Sequence, residues 1–136
     1  MFNRSRGTLR AAVIAAVGIS TIGLASTSAW AKSDIYFSAG PHDVRVGKLI
    51  HLTGNGDDDN STYNRFCIQE RSGHGSWRTL RCSHGDYNGG GGINMSIRAQ
   101  HRGVVQFRGA LVEGSSPKDK HPKVRLVSRT FSIDVR

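Results

Sequence analysis

Apolar and polar positions alternate along most of this chain over short stretches, and nowhere does an apolar repeat near 3.6 residues persist long enough to mark a surface helix. Gly40-Pro41, Gly54-Asn55-Gly56, Gly73-His74-Gly75, Asn88 to Gly92, Gly103, Gly114-Ser115-Ser116-Pro117 and His121-Pro122 punctuate the sequence. The pieces between them are rich in Val, Ile, Phe, Tyr and Thr, which fit a pleated, half-buried surface. Strands are predicted at 34–39, 43–46, 48–53, 63–71, 76–83, 93–99, 104–112 and 123–135. Alternation turns Val44, Val46, Ile50, Leu52, Phe66, Ile68, Ile93, Met95, Ile97, Val105, Phe107, Phe131, Ile133 and Val135 inward. Arg45, His51, Arg65, Asn94, Arg98, Gln106, Arg108 and Asp134 then face water. One wet face per strand is the mark of antiparallel sheets. The expected fold is all-β, an antiparallel immunoglobulin-like sandwich of seven to eight short strands. A small β-barrel is the alternative, which periodicity does not separate.

The two cysteines test this pattern. If 63–71 and 76–83 form a hairpin closing at Gly73-His74-Gly75, with Ser72 opposite Trp77, then Cys67 falls opposite Cys82. A cross-strand bridge needs such neighbours. It would staple one hairpin rather than join the two sheets. The same register places Leu80 on the cysteine face and Trp77 with Phe66 and Ile68. Residues three apart cannot both point inward on a regular strand, so either a bulge near Arg78-Thr79 intervenes or one of the two is partly exposed.

Composition then locates the chain. Arg4, Arg6 and Arg10 precede the apolar run 11–25 and the small-x-small site Ala29-Trp30-Ala31, so residues 1–31 read as a signal peptide and 32–136 as one domain. The apolar run is too short and too interrupted for a membrane span. Three of the 19 basic residues and none of the 10 acidic ones lie in that leader, so the net charge falls from +9 to +6. An even cysteine count in an exported chain favours a disulfide. The expected location is secreted, extracellular or cell-wall associated.

Residues 44–54 (Val-Arg-Val-Gly-Lys-Leu-Ile-His-Leu-Thr-Gly), 66–71 (Phe-Cys-Ile-Gln-Glu-Arg) and 75–80 (Gly-Ser-Trp-Arg-Thr-Leu) resemble a bacterial secreted immunoglobulin-like β-sandwich domain. In that group a V-x-V-G-x-x-V-x-L-x-G segment is followed by an L-Q-x-R … G-x-W-x-T-V hairpin. Val105-Gln-Phe-Arg-Gly109 stands for a late Y-R-A-like strand, and Phe131-Ser-Ile-Asp-Val135 for the closing one. The cysteine pair and the 89–92 glycine run depart from the group. The resemblance implies a non-catalytic adhesion, spacer or binding module and carries over no functional residue.

Candidate chemistry is sparse. Asp57-Asp58-Asp59-Asn60 lacks the EF-hand spacing, so a solvated acidic turn is expected, with Asp57 and Asp59 the residues that would ligate calcium if it bound. The six histidines share no metal-ligand spacing, and no metal or other cofactor is expected. No G-x-S-x-G elbow is present and the only glutamates are Glu70 and Glu113, so the chain is not expected to be an enzyme. Asn88 to Gly92 reads as a flexible connection. The basic residues carry the most information: Arg65, Arg71, Arg78, Arg81, Arg98 and Arg108 form a candidate surface for an anionic cell-wall polymer or extracellular protein. Few aromatics interleave with them, which argues against specific nucleic-acid recognition. The expected function is a monomeric, secreted binding or cell-surface interaction module. The alternative is a small inhibitor of an extracellular hydrolase that presents His74 and Trp77 at a braced hairpin tip.

Overall fold

The computed structural model describes residues 33–60, 62–87 and 89–136; the leader read at 1–31 lies outside them. The described residues form nine strands: β1 (Ser33–Gly40), β2 (Asp43–Val44), β3 (Leu49–Asp58), β4 (Tyr63–Ser72), β5 (Arg78–Cys82), β6 (Gly91–Arg98), β7 (Gly103–Gly114), β8 (Lys123–Val127) and β9 (Phe131–Val135). They build an immunoglobulin-like sandwich, not a barrel. One sheet runs β1-β3-β6 and the other β2-β9-β7-β4-β5, with β8 also paired to β7. All pairs are antiparallel except β2–β9, which is parallel. Phe37, Ile50 and Leu52 from the smaller sheet meet Phe66, Ile68, Phe107 and Ile133 from the larger, all buried. Phe37 and Phe131 pack edge to face, their centroids 5.6 Å apart.

The glycines of Gly54-Asn55-Gly56 do not make the turn that the sequence suggests. They lie inside β3, which runs on to Asp58. A Cβ on Gly54 would stand 2.6 Å from Phe66 Cζ and 2.5 Å from the Tyr36 carbonyl oxygen, and one on Gly109 would stand 2.7 Å from Phe66 Cε2. The missing side chains form a notch for the Phe66 ring. Gly90 is packed likewise, against the Gly56 carbonyl, so the glycine run is in part a close contact rather than a flexible connection.

Two further expectations are corrected. Val46 does not join the core; it is 45% exposed, because β2 ends at Val44 and the chain turns through Gly47 at φ +88°. The single strand expected over 123–135 is two strands, which pair successively with β7. Between them Ser128 Oγ accepts the Gly109 N–H at 2.8 Å, taking a backbone acceptor's place in the ladder.

The hairpin register is as the cysteines demand. Cys67 is paired with Cys82, their Cα atoms are 4.0 Å apart, and they form a disulfide within one sheet. A bulge follows, since Gln69 pairs with Thr79 and not Leu80. It resolves the Trp77–Leu80 conflict, but with both faces exchanged. Leu80 packs against the core, while Trp77, just before β5, lies with Arg71 and Arg108 on the outer face.

Candidate functional site

The outer face of the larger sheet carries the densest arrangement of functional side chains. β4 and β7 each contain a Gln-x-Arg triplet, Gln69-Glu70-Arg71 and Gln106-Phe107-Arg108. Antiparallel pairing sets Gln69 opposite Arg108 and Arg71 opposite Gln106. In each triplet the outer residues share a face and the middle one points the other way. The result is a quartet with pseudo-two-fold symmetry. Arg71 Nε donates to Gln106 Oε1 at 2.6 Å, and Arg108 Nε donates to Gln69 Oε1 at 2.8 Å. Gln106 Nε2 donates in turn to Ser132 Oγ on β9 at 3.0 Å.

Trp77 completes the arrangement. The Cζ atoms of Arg71 and Arg108 lie 4.5 and 4.3 Å from its ring centroid, well within cation–π range. Among the described residues neither guanidinium forms an ion pair with a carboxylate. Burial, and then the neighbouring Arg71 charge, lower the Arg108 pKa from its ordinary value. Two like charges are therefore held against one aromatic ring in partly dehydrated surroundings.

The other predicted arginines are dispersed. Arg65 lies four and two residues from Gln69 and Cys67 on the same face of β4; it donates to the Pro117 carbonyl at 2.9 Å and stacks on Tyr63. The 115–121 loop that it reaches is closed by Asp119, which accepts the Ser115 and His121 backbone N–H groups, and these bonds lower its pKa. Arg81 is exposed on the edge strand β5. Arg78 is neutralised by Glu70 at 2.7 Å, and Arg98 donates to the Gly47 carbonyl at 2.6 Å. The last two line a cleft of about 420 Å³ between the β5 and β6 edges, over Leu80, Ile97 and Phe107. His74 is exposed in the β4–β5 turn, but Trp77 folds back onto the sheet instead of standing with it at the tip. Gln69 and Gln106 were not among the expected site residues, Gln106 being expected only to face water, although the repeated Gln-x-Arg spacing is visible in the sequence.

The acidic segment is also rearranged. Asp57 and Asp59 are exposed, and Asp58 between them is fully buried. Asp58 Oδ2 accepts from Asn60 Nδ2 at 2.9 Å and lies 3.4 Å from Arg125 Nε; the same Asn60 nitrogen donates to Glu113 Oε2. Arg125 reaches there because a bulge lets Val112 pair with Val124, leaving Arg125 as the extra residue. A guanidinium thus sits between Asp58 and Glu113, where a cation would. No group of three metal-ligating side chains occurs among the described residues. Replacing Arg125 by Leu is expected to cost about 1–2 kcal/mol, less than for a fully buried pair because Arg125 is half exposed. Urea unfolding should show most of that loss recovered on adding Asp58→Asn.

No family model and no curated protein matches the sequence. Several solved structures are similar to the chain at low identity. A β-glucosidase from Listeria innocua matches over 78% of this chain at 11% identity and a TM-score of 0.48, but this chain spans only 16% of that one. The CARDB domain of the PF1109 protein from Pyrococcus furiosus, crystallised in complex with di-metal ions, matches over 77% of this chain and 93% of its own at 13% identity and a TM-score of 0.44. Its solution structure matches over 78% and 97% at 16% identity, again with a TM-score of 0.44.

Proposed function

We propose that this chain is an exported, non-catalytic binding module that attaches to anionic extracellular partners, foremost a cell-wall polymer, through the outer face of its larger sheet. The observation that carries this reading is the pair of guanidiniums, Arg71 and Arg108, fixed against Trp77, neither paired with a carboxylate among the described residues. Arg65 extends the same face, and the +6 charge left after the leader supplies long-range attraction. The groups assembled there are guanidiniums and amides, which bind and orient an anion but do not shuttle protons near neutral pH. The disulfide suits an oxidising location outside the cytoplasm. Trp77 is engaged on the sheet face, which favours that face over the hairpin tip as the contact surface.

Retention on a heparin matrix and sedimentation with isolated bacterial cell walls test the proposal. Binding should weaken as salt rises from low to high, because exposed charges are screened. Changing both Arg71 and Arg108 to Gln should weaken it about tenfold, roughly the contribution of one charge-assisted hydrogen bond. Arg98→Gln, on the other sheet, should leave it unchanged. Salt-independent binding, or equal losses in both variants, would overturn the assignment of this face.

A further inference from the structure

We infer that the Gln69–Arg71–Gln106–Arg108 quartet is a preorganised receptor for a single tetrahedral oxyanion, a phosphate or sulfate group carried by the partner. The inference rests on the function proposed above and specifies the group recognised. A guanidinium has five N–H donors, and a carboxylate usually engages it side-on through Nε and one Nη. That approach is closed at both arginines, since each Nε–H is already given to a glutamine carbonyl. What remains on each side is the end-on pair of Nη groups. Two such pairs, on neighbouring strands and both against one indole ring, match the three or four oxygens of a tetrahedral oxyanion better than the two of a carboxylate. A group with three or four oxygens can span both forks.

Charge points the same way. Arg71 and Arg108 repel each other, and a dianion between them relieves both at once. Trp77 has a positioning role. Its ring is occupied by the guanidiniums, so it holds them in place and does not stack on the ligand. Gln69 is itself buried, and Gln106 is tied to Ser132, so the acceptors that orient the arginines are not free to turn away.

The full disulfide-bonded chain should be titrated with inorganic phosphate, sulfate and acetate at matched ionic strength, following the Nε–H signals of the arginines by NMR. Phosphate and sulfate should give saturable shifts confined to Arg71 and Arg108, and acetate should not. The stronger of the two tells a phosphate-bearing partner from a sulfated one. Arg108→Lys keeps the charge but loses the fork, and should weaken phosphate binding about tenfold or more. Trp77→Leu should weaken it with no change in charge. An acetate response equal to that of phosphate, or an Arg108→Lys variant that binds phosphate as the parent does, would overturn the inference. The polymer assay is independent of this outcome. If Arg71→Lys/Arg108→Lys retains salt-sensitive wall binding but no longer binds phosphate preferentially, the module reading stands and the polymer's contact does not need the quartet. If phosphate saturates the quartet but walls are not bound, the receptor stands and the choice of partner falls.

Discussion

Phe66→Ala is expected to remove about 3–5 kcal/mol of stability, a large share of the roughly 5–15 kcal/mol that a domain of this size holds. Phe66 is completely buried, and three glycines that face its ring, Gly54, Gly56 and Gly109, have no side chains of their own to collapse into the space. The notch makes a sharper version of the test. The three atoms nearest to a methyl group on Gly109 would all belong to side chains, Phe66 Cε2 at 2.7 Å, Phe66 Cζ at 2.9 Å and Phe37 Cβ at 3.1 Å. Gly109→Ala should therefore cost about 1–3 kcal/mol by overpacking, and much of that cost should disappear in a Phe66→Leu background. Gly54→Ala should not be rescued in the same way. Its added carbon would also meet the Tyr36 carbonyl oxygen at 2.5 Å, and that backbone is held in the β1–β3 ladder. Urea unfolding of the four single variants and two double variants measures both couplings. Equal rescue at Gly54 and Gly109 would contradict the notch.

Removing the disulfide is the second large effect. With both cysteines changed to alanine, the loss should be about 3 kcal/mol, as expected for a loop with a sequence separation of 15, and the melting temperature should fall by roughly 12–24 °C. The chain-entropy account places this loss in the unfolded state. Below the transition the native fold should persist, because Glu70–Arg78 and the packing of Leu80 still hold β5 against β4. Thermal melts followed by circular dichroism, with and without a reductant, check it. Cys82 is exposed but Cys67 is buried, so complete reduction is to be verified by thiol titration before the melt. A fall of only a few degrees would mean that the bridge constrains little.

Much of this architecture was legible because its cause is local. The period-two alternation that buries Ile50 and Leu52, or Phe131, Ile133 and Val135, needs nothing beyond the strand itself. Glycine misled where its reason was distant. At Gly54 and Gly56 it serves a ring twelve and ten residues away along the chain, not a turn. Alternation also failed wherever one residue was added. The bulge at Leu80 exchanged the faces expected for Leu80 and Trp77, and the bulge at Arg125 sent a surface-looking arginine to the buried Asp58.

The amino-acid sequence by itself determined the all-β class, the positions of most strands and the partner of each cysteine, since these follow from side-chain period and short-range register. Only the tertiary structure decided which charges meet. Arg71 and Arg108 are far apart in sequence and become neighbours because β4 and β7 pair, and Trp77 joins them because a single extra residue on β5 turns it to their side. Long-range strand pairing and one-residue shifts carry little local signal, yet each shift reverses the side of the sheet that a residue faces.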